Sequence, residues 1–359
     1  MSREALIAGR QCIRLSVAIW LFSCFSFGQS VSPAKSETIA YLHGCDRPPN
    51  DVYVDLDVYS MNADGTNVKA LTHDCHYNHS PSWSSDGRRI VFIHGFPITD
   101  ELSVMDRDGG NSRQLRVDPS IIRAALDDGN HVKQGRGGLV RIISATWLPN
   151  GKIAATLADP FLRTDGIHIP ATFLLDPDGQ GRPQQILSDV LTPNWSPDGR
   201  RLAFVMFVAD LMHPFTTLSA IYSAEADGGV RLRLTSPRMS AEGPAWSPDG
   251  KQIAFAAATP PAATDESQIF VMSQDGSGIR QLTNDPAWEK CWQPSWSPDG
   301  QRIAFSCRAT RTCVSVEGIM GNGPWPCVRR IFVISVQNPA VKLIPISDQD
   351  ATNPVFAPN

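Results

Sequence analysis

Short runs rich in Ile, Val, Phe and Ala, each closed by Gly, Pro, Asn or Asp, follow one another along this chain. That pattern predicts strands joined by tight turns, and no long amphipathic helical pattern interrupts it. In Pro294-Ser295-Trp296-Ser297 one large aromatic stands between two serines, so Trp296 faces one side of a strand and the serines the other. Pro298-Asp299-Gly300 then sets a turn: Pro fixes φ, Asp hydrogen-bonds the local backbone and Gly takes φ > 0. Ile303-Ala304-Phe305 restarts a strand, which makes the unit a β-hairpin with a buried aromatic.

The hairpin recurs. Trp83, Trp147, Trp195 and Trp246 stand in the same context, and Phe356 holds the aromatic slot in a last copy cut short at Asn359. Between these hairpins lies a second motif, an apolar strand ending in Asp-Gly and followed by another short strand. It occurs at Val58–Thr72, Ser103–Leu115, Phe173–Leu187, Ile221–Thr235 and Ile269–Thr283. Each unit therefore holds four strands, A to D, in a meander. A repeat of that size built from short strands predicts propeller blades.

Trp-Ser-Pro-Asp-Gly followed by Ile-Ala-Phe, then Ile-Tyr or Ile-Phe, Asp-Gly and Leu-Thr, resembles the TolB-type, WD-repeat-like β-propeller over residues 38–359. The resemblance implies an all-β, six-bladed propeller of four-stranded blades and a role in protein–protein interaction in the bacterial cell envelope. It covers the propeller part only, and the N-terminal α/β domain of TolB finds no counterpart.

The repeat begins mid-blade. Thr38-Ile39-Ala40-Tyr41-Leu42 reads as strand B with no Trp hairpin before it, and Pro354–Ala357 supplies the missing strand A. Ring closure by one C-terminal and three N-terminal strands follows, which pairs the free edges of the ring. Residues 1–30 read as a secretory signal: Arg3, Arg10 and Arg14 precede an apolar stretch to Phe27, then Gly28-Gln29-Ser30. Residues 31–37 form a short leader. An uncleaved anchor is the alternative reading, and Leu21-Phe22-Ser23-Cys24 resembles a lipoprotein site with Phe22 where a small residue is usual. Without the signal, the net charge moves from −4 to −6, because three Arg and one Glu leave. Such a surface offers nothing to nucleic acid.

Three segments break the repeat: 116–144, 208–218 and 307–330. All of them fall in B–C or D–A loops, which share one end of a blade, whereas Asp-Gly turns form the other end. The elaborated end is the expected binding face, with His213, Trp288, Trp292 and Trp325 as candidates. The six cysteines beyond the signal fall in or beside these loops, and an even count in an exported chain suggests disulfides. Register across the A–B turn sets Cys291 opposite Cys307. Cys313 and Cys327 share a loop, and Cys45 and Cys75 leave neighbouring strands at the closure, so the expected pairs are Cys45–Cys75, Cys291–Cys307 and Cys313–Cys327.

His73, His76 and His79 form the densest group of metal-capable side chains, set against the reading of an exposed polar loop. The repeated Asp-Gly pairs are explained as turns rather than calcium ligands. No nucleophile elbow, phosphate loop or dinucleotide fingerprint is present. The expectation is an exported, monomeric, non-catalytic platform for envelope proteins, with no cofactor and no membrane span in the mature chain. The alternative is a propeller enzyme resembling oligogalacturonate lyases, in which His43, His94 and the 73–79 group would converge on a metal in the channel. A resemblance to peptidase propellers carries less, because the blades use up the chain and leave no hydrolase domain.

Overall fold

The structure is a computed structural model that describes residues 37–45, 56–95, 100–115, 141–158, 170–179, 181–209, 217–258, 266–309, 329–339, 345–347 and 350–358. It is an all-β, propeller-like fold of successive antiparallel sheets. The helical content among the described residues is one 3-10 turn at Pro237–Met239.

Every aromatic hairpin expected from the repeat is formed. The A strands are β4 (Tyr77–Trp83), β8 (Arg141–Trp147), β12 (Leu191–Trp195), β16 (Glu242–Trp246), β20 (Trp288–Trp296) and β23 (Ala351–Phe356). The B strands are β1 (Thr38–Gly44), β5 (Arg89–Gly95), β9 (Ile153–Ala158), β13 (Arg201–Ala209), β17 (Gln252–Ala257) and β21 (Arg302–Ala309). The C strands are β2 (Leu56–Asn62), β6 (Asp100–Asp106), β10 (Ala171–Leu175), β14 (Thr217–Glu225), β18 (Gln268–Ser273) and β22 (Arg329–Ser335). Short D strands complete most units: β3 (Lys69–Ala70), β7 (Arg113–Leu115), β11 (Gln184–Ser188), β15 (Leu232–Arg233) and β19 (Arg280–Gln281). In the last unit the place of a D strand is held by a bridge between Phe332 and Pro345.

Three sheets are four-stranded meanders, and β20-β21-β22 is three-stranded. The C-terminal β23 pairs with β1, Ile39 opposite Phe356 and Ala40 opposite Val355. The first two units are not separate sheets. Leu56 on β2 meets Tyr77 on β4 in a parallel pair, which merges them into one eight-stranded sheet.

The A–B turns close by a side-chain latch. Ser84, Ser196, Ser247 and Ser297 each donate to the Asp two residues on, at 2.5–2.6 Å. Each Asp in turn accepts from a turn amide, as Asp249 does from the Lys251 N–H at 3.1 Å. The latch holds Asp86, Asp198 and Asp249 below the ordinary carboxylate range, chiefly through the serine hydroxyl. Ser and Asp are thus consumed by the turn, as the repeat reading expects.

A feature absent from the sequence reading explains the proline two residues before five of the six aromatics. Ser80, Thr192, Gly243, Gln293 and Asn353, three residues before the aromatic, all take positive φ, and the register slips there. The next residue is Pro81, Pro193, Pro244, Pro294 or Pro354. Proline has no N–H to give to the ladder, so it is tolerated where a bulge has already broken the ladder. The unit with Ala145 in that slot has Ser144 at ordinary φ.

The core lies between sheet faces. Val91, Ile93 and Leu102 pack on Trp147, Ile153 and Phe173 of the next sheet, and Ala254, Ile269 and Val271 pack on Trp296, Phe305 and Phe332. Trp83, Trp246 and Trp296 also reach the preceding A strand, where their indole N–H groups donate to the Val355, Asn194 and Ala245 carbonyls at 3.0–3.2 Å.

Candidate functional site

The two ends of the sheets differ. Most A–B and C–D turns are short, and the glycines of four C–D turns, Gly65, Gly109, Gly228 and Gly276, sit tightly on the neighbouring unit. A Cβ at Gly109 would meet the Leu71 carbonyl at 2.7 Å, and φ there is +88°. The longer segments, 116–140, 159–169, 210–216, 259–265 and 310–328, leave from the opposite end, between B and C strands or between D and A strands.

His213, Trp325, Cys313 and Cys327 lie outside the described residues, as does Cys24. All three expected insertions are shorter than the sequence suggests, because β13 and β14 run on to pair Val208 with Leu218 and Ala209 with Thr217, β8 begins at Arg141, and β21 and β22 pair Cys307 with Arg330 and Arg308 with Arg329. Trp288 and Trp292 are on strand β20 rather than in a loop, half-buried against a hydrophobic cluster. The Trp288 ring centroid lies 4.6 Å from that of Phe332.

The cysteine expectations divide. Cys291 and Cys307 face one another across β20 and β21 and are bonded, with Cα atoms 4.0 Å apart. They are fully buried core residues inside strands, not loop residues at the rim. The expected Cys45–Cys75 bond is not formed: both are thiols. The buried Asp57 carboxylate lies between them, and its Oδ2 accepts from Cys45 Sγ at 3.2 Å and Cys75 Sγ at 3.6 Å. Its Oδ1 accepts from Thr72 Oγ1 at 2.7 Å and from the Cys75 N–H at 3.3 Å. Burial pushes Asp57 up, but these donors and the neighbouring Asp74 outweigh it and hold the group below its ordinary value. Burial, Cys75 and Asp57 push the Cys45 thiol well up.

The three histidines singled out by spacing do not converge. His73 is exposed. His79 turns the other way, toward Asp100 and Arg141, where burial pulls its pKa down to about 4. His76 instead joins His94, with ring centroids 4.6 Å apart. Asp74 Oδ2 lies 3.3 Å from His94 Nδ1 and 3.8 Å from His76 Nδ1. Burial holds His94 below its ordinary value, against the pull of Asp74. Asn78, fully buried, fixes this corner: its Nδ2 donates to the Leu56 carbonyl at 2.8 Å and to Asp74 Oδ1 at 3.2 Å. His43 stays apart from them, its Nδ1 2.6 Å from the Gly44 carbonyl and its ring against Tyr59.

Sequence reasoning missed Asp57, Asp74 and Asn78. Asp57 offers one signal in hindsight. The Val58, Ile221 and Ile269 N–H groups all donate to a Thr hydroxyl, at Thr72, Thr235 and Thr283. The residue just before each donor is Asp57, Ala220 or Gln268, so the repeat itself does not require an acid there.

A family model of the TolB β-propeller domain matches residues 171–315. Over 174 residues the chain is 28% identical to a Tol-Pal system protein TolB of Anaeromyxobacter dehalogenans, a stretch that is 44% of this chain and 37% of that protein. The chain thus spans about two fifths of the length of the curated relatives it matches first. The solved structure of TolB from Acinetobacter baumannii superposes with a TM-score of 0.61 at 18% identity, covering 90% of this chain and 67% of the other. A putative TolB from Agrobacterium tumefaciens gives a TM-score of 0.56 at 18% identity, covering 89% and 91%. At such identities the structural likeness shows the fold. No helix among the described residues is long and apolar enough to cross a membrane.

Proposed function

We propose that this TolB-like propeller protein is an exported, non-catalytic interaction platform of the bacterial cell envelope, and that it binds protein partners through its elaborated end. The observation that carries the reading is the asymmetry of the two ends. The longest interstrand stretches, 116–140, 159–169 and 310–328, lie between B and C or between D and A strands, while four of the A–B turns at the opposite end carry the same Ser–Asp latch. A rigid scaffold that varies only at one rim is the usual arrangement of a binding protein. The likeness to a Tol-Pal system protein of Anaeromyxobacter dehalogenans supports an envelope setting, and the basic-then-apolar leader at 1–30 supports export.

The platform is a closed ring of six units. Support comes from packing in cyclic order: β4, β8, β12, β16, β20 and β23 each touch the next, and β23 touches β4. Face-to-face hydrophobic clusters join each sheet to its neighbour, including β21 and β22 to β1, β2 and β23. The lyase alternative would need His43, His94 and the 73–79 group together, and His43 sits against Tyr59 while His79 turns toward Asp100.

Affinity capture of envelope proteins on the immobilised chain tests the reading. Partners held by the wild type should be lost with His213→Ala and Trp325→Ala and kept with the turn variant Asp249→Ala. If the turn variant alone loses them, the binding face is the other end. Deleting residues 353–359 tests the ring, because removing part of β23 exposes the edge of β1 and should cause melting at lower temperature with aggregation. A truncated chain that melts like wild type would rule out closure by these strands.

A further inference from the structure

The geometry points to a metal site that would hold one divalent, zinc-type cation between Cys45 Sγ, Cys75 Sγ and the Asp57 carboxylate, with Asp74, His76 and His94 as the adjoining ligand group. The three sulfur and oxygen atoms lie within 4.8 Å of one another, and so do the three of Asp74, His76 and His94. Around a tetrahedral zinc with bonds of about 2.3 Å to sulfur and about 2.0–2.2 Å to oxygen, sulfur and oxygen ligands stand roughly 3.5 Å apart. The two sulfur–oxygen distances here are 3.2 and 3.6 Å.

Chemistry and context agree with the spacing. Two thiols, carboxylates and imidazoles together form the donor set of a borderline-soft ion rather than of calcium or magnesium. Asn78 and Thr72 link the two groups: Asn78 Nδ2 lies 3.2 Å from Asp74 Oδ1 and 3.5 Å from Thr72 Oγ1, which itself donates to Asp57 Oδ1 at 2.7 Å. Asn78 orients Asp74 through Nδ2, while its buried Oδ1 has no partner among the described residues. The repeat does not account for the acid, since Ala220 and Gln268 occupy the position of Asp57 in other units.

The ligands come from four separate stretches: the exit of β1, the start of β2, the approach to β4 and the end of β5. An ion there ties the first unit to the second beside the Leu56–Tyr77 pairing. Binding replaces the two thiol protons, which pass to solvent, with bonds from thiolate to metal, and no electron is transferred. This goes beyond the binding-platform reading and does not depend on it.

The test uses the protein purified with reductant and stripped with chelator, titrated with Co2+ and then Zn2+. One equivalent of Co2+ should give a thiolate-to-cobalt charge-transfer band, and Zn2+ should abolish it by displacement. Cys45→Ser and Cys75→Ser should each remove the band, and Cys291→Ala/Cys307→Ala should leave it. Independently of any variant, Zn2+ should protect Cys45 and Cys75 from alkylation, as mapped by mass spectrometry. His94→Ala should weaken binding at least as much as loss of an outer-shell partner does, by about 10-fold or more. The proposal is overturned by absence of saturable binding, by a band that survives both serine variants, or by unchanged alkylation of Cys45 and Cys75. A Cys45–Cys75 disulfide in protein isolated without reductant overturns it as well.

Discussion

Two hairpins of this protein carry different chemistry at the same address. Five residues before the aromatic, Cys291 on β20 faces Cys307 on β21, and Asn78 on β4 faces His94 on β5. Cys291, Cys307 and Asn78 are all fully buried. In the first hairpin the position is a covalent staple set among Ile303, Phe305 and Phe332. In the second it is a polar junction, where Asn78 reaches the Leu56 carbonyl and His94 reaches Asp74. The repeat therefore sets register and burial and leaves the side chain free. A buried position still demands that polar groups find partners, and the Asn78 Nδ2 meets that demand by joining β4 to β2, which is where the two sheets merge.

If the scaffold beneath both hairpins is the same, removing its aromatic should cost both alike. Trp296→Ala and Trp83→Ala should each destabilise by about 3–5 kcal/mol in urea unfolding, since each is a large core side chain with a bonded indole N–H. A loss confined to one of them would show that the units are not equivalent. Opening the staple comes next. Cys291→Ala/Cys307→Ala frees a loop spanning a separation of 16 residues and should cost about 3 kcal/mol, with reductant lowering the wild-type Tm toward that of the variant. Asn78→Ala strips the buried Leu56 carbonyl of its side-chain donor and should cost about 1–3 kcal/mol. Reductant should not change that cost, which separates the polar junction from the staple.

The smallest effect belongs to the turn that both hairpins share. Ser84 and the Arg88 N–H hold the Asp86 carboxylate below its ordinary value of 3.8. A depressed carboxyl stabilises above its unfolded pKa, and that contribution is lost as pH falls through the lower folded value. Asp86→Ala should thus melt earlier than wild type at neutral pH, with the gap closing in acid as wild-type Asp86 is protonated. A gap that stays constant down to strongly acid pH would remove the latch as its cause.

What the sequence determined by itself was local and repeated. Trp or Phe with a Gly turn after it specifies strand and turn within a dozen residues, so the hairpins were legible, and the missing aromatic hairpin before Thr38 pointed to the β1–β23 pairing. Cys291 and Cys307 were legible for the same reason, since counting back and forward from one turn sets them opposite. The bulge escaped because residues as different as Ser80, Thr192 and Gln293 take the same positive φ, and what marks it is the proline that follows.

What only the tertiary structure decided was which side chains from separate segments share a corner. Spacing grouped His73, His76 and His79, but side chains alternate faces along an extended chain, so His79 turns toward Asp100 while His76 meets His94 from the next strand. Cys45 and Cys75 were expected to bond because their strands end together, yet Asp57, from a third segment, lies between the two sulfurs. A turn is written in neighbouring residues, whereas a corner is written in the register between strands, which no single stretch of sequence contains.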